Sequence, residues 1–351
     1  GSQEKREELI RNSEDMDLLI TSYDYLKRDV GYYEGRTFFY KILDEAQYIK
    51  NQRTMNAIST KRLKSQYALA LTGTPIENSL AELWSIFDFL MPGYLFDYRY
   101  FSQNFEKEIM LKKNEDLQER LKKMVQPFIL RRVKKDVLKE LPEKTETTLS
   151  VAMNEEEENL YMANLAQVNA KLQEETGIEK ANRFQILGML IRLRQICCDP
   201  RLIYDNIATP SSKLKACLEL VKSLVDNNKS VLLFSNFTSM LDLIQVELQN
   251  LHIPYFRMDG TTNKEERREL VQKFQDKERK VFLISLKAGG TGINLTAAEA
   301  VIHFDPWWNV SAENQASDRA YRIGQQSNVQ VYKLIMRNTI EERIQNLQQM
   351  K

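Results

Sequence analysis

From residue 212 onward the chain alternates five short apolar runs with polar stretches of helix length, and this rhythm limits the fold more than any other feature. The runs occupy residues 231–234, 255–258, 281–285, 300–304 and 329–335. They have strand length and are separated by stretches that read as helices. Strands joined by crossover helices form parallel sheets, so this region is expected to be α/β with one complete sheet. Asn263 with Glu266, and Thr339 with Glu342, have capping-box spacing and mark the starts of two of the intervening helices.

Residues 18–23, 38–43 and 67–71 are further apolar runs of strand length with little alternation, as parallel strands buried on both faces would show, so the first part of the chain is also expected to be α/β. Between about 83 and 199 the sequence turns amphipathic and helical. It is broken at Met91-Pro92-Gly93 and Leu141-Pro142, linked by an extended segment at 144–151, and carries an acidic run at 155–158 that opens another helix. A length of 351 residues suits two or three domains, expected here at 1–82, 83–211 and 212–351.

Hydrophobic residues make up 42% and charged residues 28%, which allows a substantial core and excludes the composition of disorder. No apolar run approaches the roughly 20 residues that span a bilayer, and no signal peptide is present, so no membrane association is expected. Cys197, Cys198 and Cys217 cannot all pair and lack zinc-ligand spacing; a reduced, cytoplasmic, monomeric protein without structural zinc is expected. The opening Gly1-Ser2 reads as a cloning remnant. With 50 basic and 49 acidic residues the net charge is +1, so binding to a polyanion has to rest on local clusters.

Four sites carry chemistry. The run at 38–43 ends in Asp44-Glu45-Ala46-Gln47, placing two carboxylates outside the carboxyl end of a strand, where open parallel sheets bind ligands. One carboxylate can hold Mg²⁺ through water while the other orients an attacking water. A bare Asp-Glu pair is more often a solvated turn; the strand before it argues for the site. The run at 67–71 leads into Thr72-Gly73-Thr74-Pro75, whose hydroxyls can relay hydrogen bonds around a flexible glycine. Lys287-Ala288-Gly289-Gly290-Thr291-Gly292 follows the run at 281–285; its free N–H groups can meet phosphate, though a flexible loop would read the same. Arg319 and Arg322, three apart in a predicted helix with Gln315 one turn earlier, suit a developing γ-phosphate, or else form a solvated pair with Asp318.

Together and in this order, DEAQYIKN, LTGTPIEN, FILRRVKKDV, LRQICCDP, VLLFSNFTSML, RMDGTT, SLKAGGTGINLT, HFDPWWN and QASDRAYRIGQ resemble the Swi/Snf family of ATP-driven DNA translocases in helicase superfamily two. The resemblance spans roughly residues 18–335. It implies two RecA-like lobes of the P-loop NTPase fold with helical protrusions and a C-terminal brace helix, ATP between the lobes and double-stranded DNA across both. By the same resemblance Asp44 would coordinate magnesium and Glu45 would activate water. Gln47, Thr72, Gly73, Thr74, Gly290, Gly292 and Gln315 would bind nucleotide or couple its state to DNA. Arg319 and Arg322 would reach the γ-phosphate. Ser235, Asn236, Arg257, Asp259, Gly260, Thr261, Lys287, Gly289, Thr291 and Asn294 would contact DNA.

Two positions depart from the family pattern. Gln47 stands where many relatives have His, which is expected to retune coupling between ATP and DNA; Asp199 also replaces a His, with no account in the sequence. None of the 12 glycines precedes Lys, so the phosphate-binding loop G-x-x-x-x-G-K-[ST] is absent. The chain is therefore expected to be the C-terminal portion of a longer protein, inactive by itself, with an apolar edge exposed in residues 1 to about 80. The DEAQ sequence and compact spacing fit a bacterial relative, nucleoid-associated in that case.

Residues 121–139 carry seven basic residues against one acidic, Asp136; Arg131, Arg132, Lys134 and Lys135 within this protrusion helix are expected DNA contacts. Trp307 and Trp308 are expected to wedge a loop onto the core more than to stack on bases. A strand-separating DNA or RNA helicase, or a nucleic-acid or protein-binding module that hydrolyses nothing, remain alternatives to a translocase that remodels a DNA-bound protein complex.

Overall fold

The computed structural model describes residues 2–13, 16–73, 79–132, 134–138, 140–173, 180–289 and 292–349. It divides into two compact units, Gly1–Arg132 and Val133–Lys351. In the first, β1 (Thr37–Leu43) and β2 (Lys64–Ala70) pair in parallel, Thr37 opposite Lys64 and Leu43 opposite Ala70. The crossover between them contains the helix Met55–Arg62, capped by the Thr54 hydroxyl, which accepts from the Ala57 amide. Leu43, Ala46, Ile49, Ala57 and Phe89 close the core beneath this pair. A second core in the same unit gathers Trp84, Phe87, Phe101, Phe105 and Leu121.

Residues 18–23 are not a strand. Residues 18–22 have no regular structure, and the Ser22 hydroxyl accepts from the Tyr25 amide to start the helix Tyr23–Asp29. A strand needs a neighbour for its backbone groups, and among the described residues this sheet contains β1 and β2 alone. Leu18 and Ile20 accordingly remain 71% and 83% exposed. The sheet also leaves Phe39, Tyr40, Ile42, Tyr67 and Leu69 exposed, so β1 and β2 are not buried on both faces as their apolar runs suggested, and they present the apolar surface expected in this region.

The second unit holds a six-stranded, all-parallel sheet in the order β3-β8-β7-β4-β6-β5. Its strands are β3 (Lys144–Val151), β4 (Val231–Ser235), β5 (Tyr255–Met258), β6 (Val281–Ser285), β7 (Ala300–His303) and β8 (Val329–Met336). Five are the expected runs. The sixth, β3, is the segment read only as extended; it pairs with β8 along its full length, Lys144 opposite Val329 and Val151 opposite Met336. Its polar sequence suits an edge position.

Alternation along β4 builds both faces of this sheet. Val231 and Leu233 join one core with Leu214, Val221 and Ile244, whereas Leu232 and Phe234 join another with Met258, Phe274 and Ile284. A third cluster packs the helices Glu155–Gln173 and Lys180–Cys198 on the helix Ile340–Gln349 through Tyr161, Val168, Leu193, Ile196 and Ile344. Asn263 caps its helix as expected, accepting from Glu266 N at 2.9 Å. Thr339 also caps, but it accepts from Glu341 N at 3.2 Å and shows no box with Glu342. The intervening Glu341 turns inward instead, to a fully buried pair with Lys213 at 2.6 Å.

Candidate functional site

The parallel register brings the ends of β1 and β2 side by side. Leu71 N donates to Leu43 O and Ala46 N donates to Leu71 O, both at 2.8 Å, so the Asp44–Gln47 turn is stitched to the start of the Thr72 segment. Glu45 adopts the left-handed conformation, φ 51° and ψ 51°, uncommon for a residue with a β-carbon and typical of functional turns. Hydrogen bonds around the turn hold it in a short chain. Its amide donates to Asp44 Oδ1 at 2.9 Å. Gln47 Nε2 donates to Glu45 Oε2 at 2.6 Å. Thr72 Oγ1 donates to Gln47 Oε1 at 2.9 Å, completing a relay from the second motif to the first.

The Tyr23 hydroxyl donates to the Asp44 carbonyl at 2.9 Å. Burial, and then the charge of Asp44, push this phenol far above its ordinary value and keep it a donor. Asp44 itself is exposed. An accessible carboxylate at a strand end fits Mg²⁺ held largely through water, so the donor set present suits that ion. Gly73 follows Thr72; Thr74 lies outside the described residues.

In the second unit the carboxyl ends of β4, β6 and β7 bring three loops together. After β4, Ser235 Oγ and Asn236 N donate to Asp305 Oδ1 at 2.7 and 3.0 Å, and Asn236 Nδ2 donates to Asp305 Oδ2 at 2.6 Å. Ser235 is 1% exposed, so its hydroxyl holds the turn from within, whereas Asn236 is only half-buried. Arg194 from the helix Lys180–Cys198 faces Asp305 from the other side at 3.2 Å. Its guanidinium lies against the rings of Trp307 and Trp308, which therefore pack on the core as expected.

The RMDGTT segment is braced internally. Arg257 pairs with Asp242 and Asp259, and Asp259 accepts from Thr261 Oγ1 at 2.6 Å and Thr261 N at 2.9 Å. Those hydrogen bonds, with Arg257 adding to them, hold the Asp259 carboxyl below its ordinary value. Gly260 and Thr261 are left exposed at the tip.

After β6 the short helix Leu286–Gly289 exposes Lys287 and buries Gly289, where an added β-carbon would stand 2.6 Å from Phe234 Cε1. Only glycine permits so close an approach. Gly290 and Thr291 lie outside the described residues; Gly292 and Asn294 are exposed. Arg319 and Arg322 are not in a helix: the helix Val310–Ser317 carries Gln315 and stops, and a chain of tight turns takes over. They still share an environment, because Arg319 Nε donates to Gly289 O at 3.2 Å and Arg322 Nη1 to Ile293 O at 3.3 Å. Asp318 pairs with Lys134 at 2.8 Å.

The basic stretch is not one helix. The helix Glu115–Val125 gives way at Pro127, and residues 129–132 run without regular structure before the short helix Lys134–Val137. Arg131 and Arg132 are exposed, Lys134 is tied to Asp318 and to the Tyr321 carbonyl, and the Lys135 side chain lies outside the described residues. Sequence reasoning missed Arg194 and Asp305, since nothing local marks a contact between residues 111 apart in the chain. It also had no account of Asp199. That carboxylate is fully buried and accepts from Arg201 N, Nε and Nη2 and from Ser211 N at 2.9–3.0 Å, joining the end of one helix to the start of the next.

Two sequence families account for most of the chain: an SNF2-related domain over residues 2–202 and a helicase conserved C-terminal domain over residues 212–324. An uncharacterized ATP-dependent helicase of Mycoplasma genitalium is 43% identical over 338 residues, covering 95% of this chain and 32% of that protein. The ISWI chromatin-remodeling complex ATPase ISW1 of Saccharomyces cerevisiae is 32% identical over 361 residues, covering 98% of this chain and 32% of that protein. The chain thus spans about a third of the length of the curated relatives it matches. Among solved structures, the Sulfolobus solfataricus SWI2/SNF2 ATPase core in complex with dsDNA matches with a TM-score of 0.53 and 37% identity over 96% of this chain and 72% of that one. The C-terminal part of the Fun30 ATPase domain matches with a TM-score of 0.50 and 26% identity over 59% of this chain and 90% of that one. With its parallel α/β architecture of RecA-like type and both domain signatures in order, the chain belongs to the SNF2-related, or Swi/Snf, family.

Proposed function

We propose that this chain is part of an ATPase that couples hydrolysis to movement along double-stranded DNA and thereby remodels a DNA-bound protein complex. The observation that carries the reading is the relay Thr72–Gln47–Glu45, which joins the carboxylate suited to activating water to the neighbouring strand end. Glu45 takes a proton from the attacking water, Asp44 holds Mg²⁺ through water, and Arg319 and Arg322 supply positive charge to the γ-phosphate. The ion, when bound, neutralises phosphate charge. Gln315, Gly292 and the Gly290 position belong to the nucleotide side of this machinery. Asn236, Gly260, Thr261, Lys287, Asn294, Arg131 and Arg132 face DNA phosphates, while Ser235, Arg257 and Asp259 shape the turns that do so.

No glycine here precedes Lys, so the cradle for the β- and γ-phosphates comes from outside these 351 residues. The chain by itself releases no phosphate above background. The parent protein acts as a monomer in the cytoplasm, on the nucleoid of a bacterium; three free, buried cysteines suit a reducing compartment. The test is phosphate release by the parent protein with and without duplex DNA. Stimulation that is lost in Arg322→Ala while ATP binding persists supports the reading; turnover unchanged by Arg322→Ala removes the arginine from it.

A further inference from the structure

Arg194 is 1% exposed and sits on the helix Lys180–Cys198, which contributes no strand to the sheet. Its Nη2 donates to Asp305 Oδ2 at 3.2 Å and to the Pro306 carbonyl at 2.8 Å. The rings of Trp307, Phe237 and Trp308 stand 5.0, 5.2 and 6.0 Å from its guanidinium carbon, within cation–π range. Asp305 is 2% exposed and spends its remaining acceptor capacity on the turn after β4, through Ser235 Oγ, Asn236 N and Asn236 Nδ2. Removing the guanidinium would leave this enclosed carboxylate without its neighbouring cation. Two loops at the carboxyl end of the sheet, residues 235–237 and 305–308, are thus set by one side chain reaching in from a separate helix.

We propose that Arg194 is a positioning residue for duplex binding, acting through Asp305 on the Asn236 turn and by ring stacking on the Trp307–Trp308 loop. This inference rests on the DNA reading of Asn236 given above. Arg194 is enclosed and touches no phosphate. Its loss therefore lowers affinity without changing the number of counterions released, whereas loss of a direct contact changes both.

The test titrates the 351-residue chain against a fluorescein-labelled duplex at several salt concentrations, with amide hydrogen exchange followed on the same samples. Arg194→Lys keeps the buried charge but gives up the planar fork and its stacking; Arg194→Met removes both. Arg194→Lys is expected to weaken binding about five-fold, the equivalent of one hydrogen bond, with the salt slope unchanged. In the same variant Asn236 and Trp307 amides exchange faster while those of Leu283 and Val301 keep their protection. Lys287→Ala, by contrast, flattens the salt slope by about 1. If Arg194→Met fails to fold, the Lys variant decides.

Wild-type affinity in Arg194→Lys with unchanged exchange at Asn236 overturns the inference and leaves the DNA reading standing. A flattened salt slope in that variant overturns it too, as does faster exchange across all strands, which marks general loosening. Absence of duplex binding by the unaltered chain overturns the DNA reading, and this assignment with it.

Discussion

The Thr72 hydroxyl donates to the Gln47 side-chain carbonyl at 2.9 Å, and so ties the end of β2 to the residue that grips Glu45. Through this contact the Thr72 segment is joined to Glu45, the carboxylate proposed to activate water. Thr72→Val in the parent protein removes one neutral hydrogen bond of about 1 kcal/mol, and DNA-stimulated turnover should fall by roughly five-fold. Glu45→Gln removes the proposed base, and steady-state phosphate release should fall by roughly 10²–10⁴. Equal losses in the two variants would contradict this division of roles.

Gly289 has no room for a side chain. Its neighbour Phe234 cannot swing away, because the ring is buried and stacked on His303 at 5.6 Å between centroids. Gly289→Ala should cost about 1–3 kcal/mol, as overpacking does in tight cores, read as a lower urea midpoint for the second unit. Phe234→Leu in the same chain should recover part of the loss. A Gly289→Ala chain as stable as wild type would mean the loop moves freely.

His303 is buried with Nε2 at 2.8 Å from Ser317 Oγ, and burial pulls its pKa down to about 3. The unfolded chain, with an ordinary histidine value, binds the proton first as pH falls, so the folded state loses stability. This residue's contribution is complete above about pH 6.5 and declines by about 1.4 kcal/mol per pH unit from there toward 3. Urea midpoints between pH 6 and 5, above the carboxylate range, should show that slope in the wild type and lose it in His303→Gln. An unchanged slope in the variant would assign the pH dependence elsewhere.

Lys213 and Glu341 are fully enclosed and joined at 2.6 and 2.8 Å, with Met336 N also donating to Glu341. Burial raises the Glu341 carboxyl and the adjacent ammonium opposes it. Removing one partner strands a charge, so Lys213→Met should cost about 3–5 kcal/mol, while replacing both with apolar residues should recover most of it. Denaturant midpoints of the two single variants and the double variant decide; additive losses would show that the residues do not act as a pair.

The central strands were legible because β4, β6 and β7 are apolar up to their last residues, Ser235, Ser285 and His303, and every position is buried, as in a doubly covered parallel sheet. β3 was not, since Lys144, Thr145, Glu146, Thr147 and Thr148 look like any polar connector; what makes them a strand is the free edge of β8. Residues 18–23 misled for the opposite reason, being apolar enough for a strand that has no neighbour among the described residues. At the site, Asp44, Glu45 and Thr72 were readable as strand-end motifs. Arg319 and Arg322 were read as one helix face, but they share the backbone carbonyls of the glycine loop instead. The Arg194–Asp305 contact, between residues 111 apart, exists only once distant elements have packed, whereas the clasp of Asp199 on Arg201 and Ser211 is local and shows itself only in the turn geometry.

Displacement of a triplex-forming strand from duplex DNA by the parent protein tests the account most directly. Movement along the intact duplex predicts ATP-dependent displacement of the third strand with both duplex strands still paired, and none in Glu45→Gln. Separation of the duplex strands, or displacement that proceeds equally in Glu45→Gln, would contradict it.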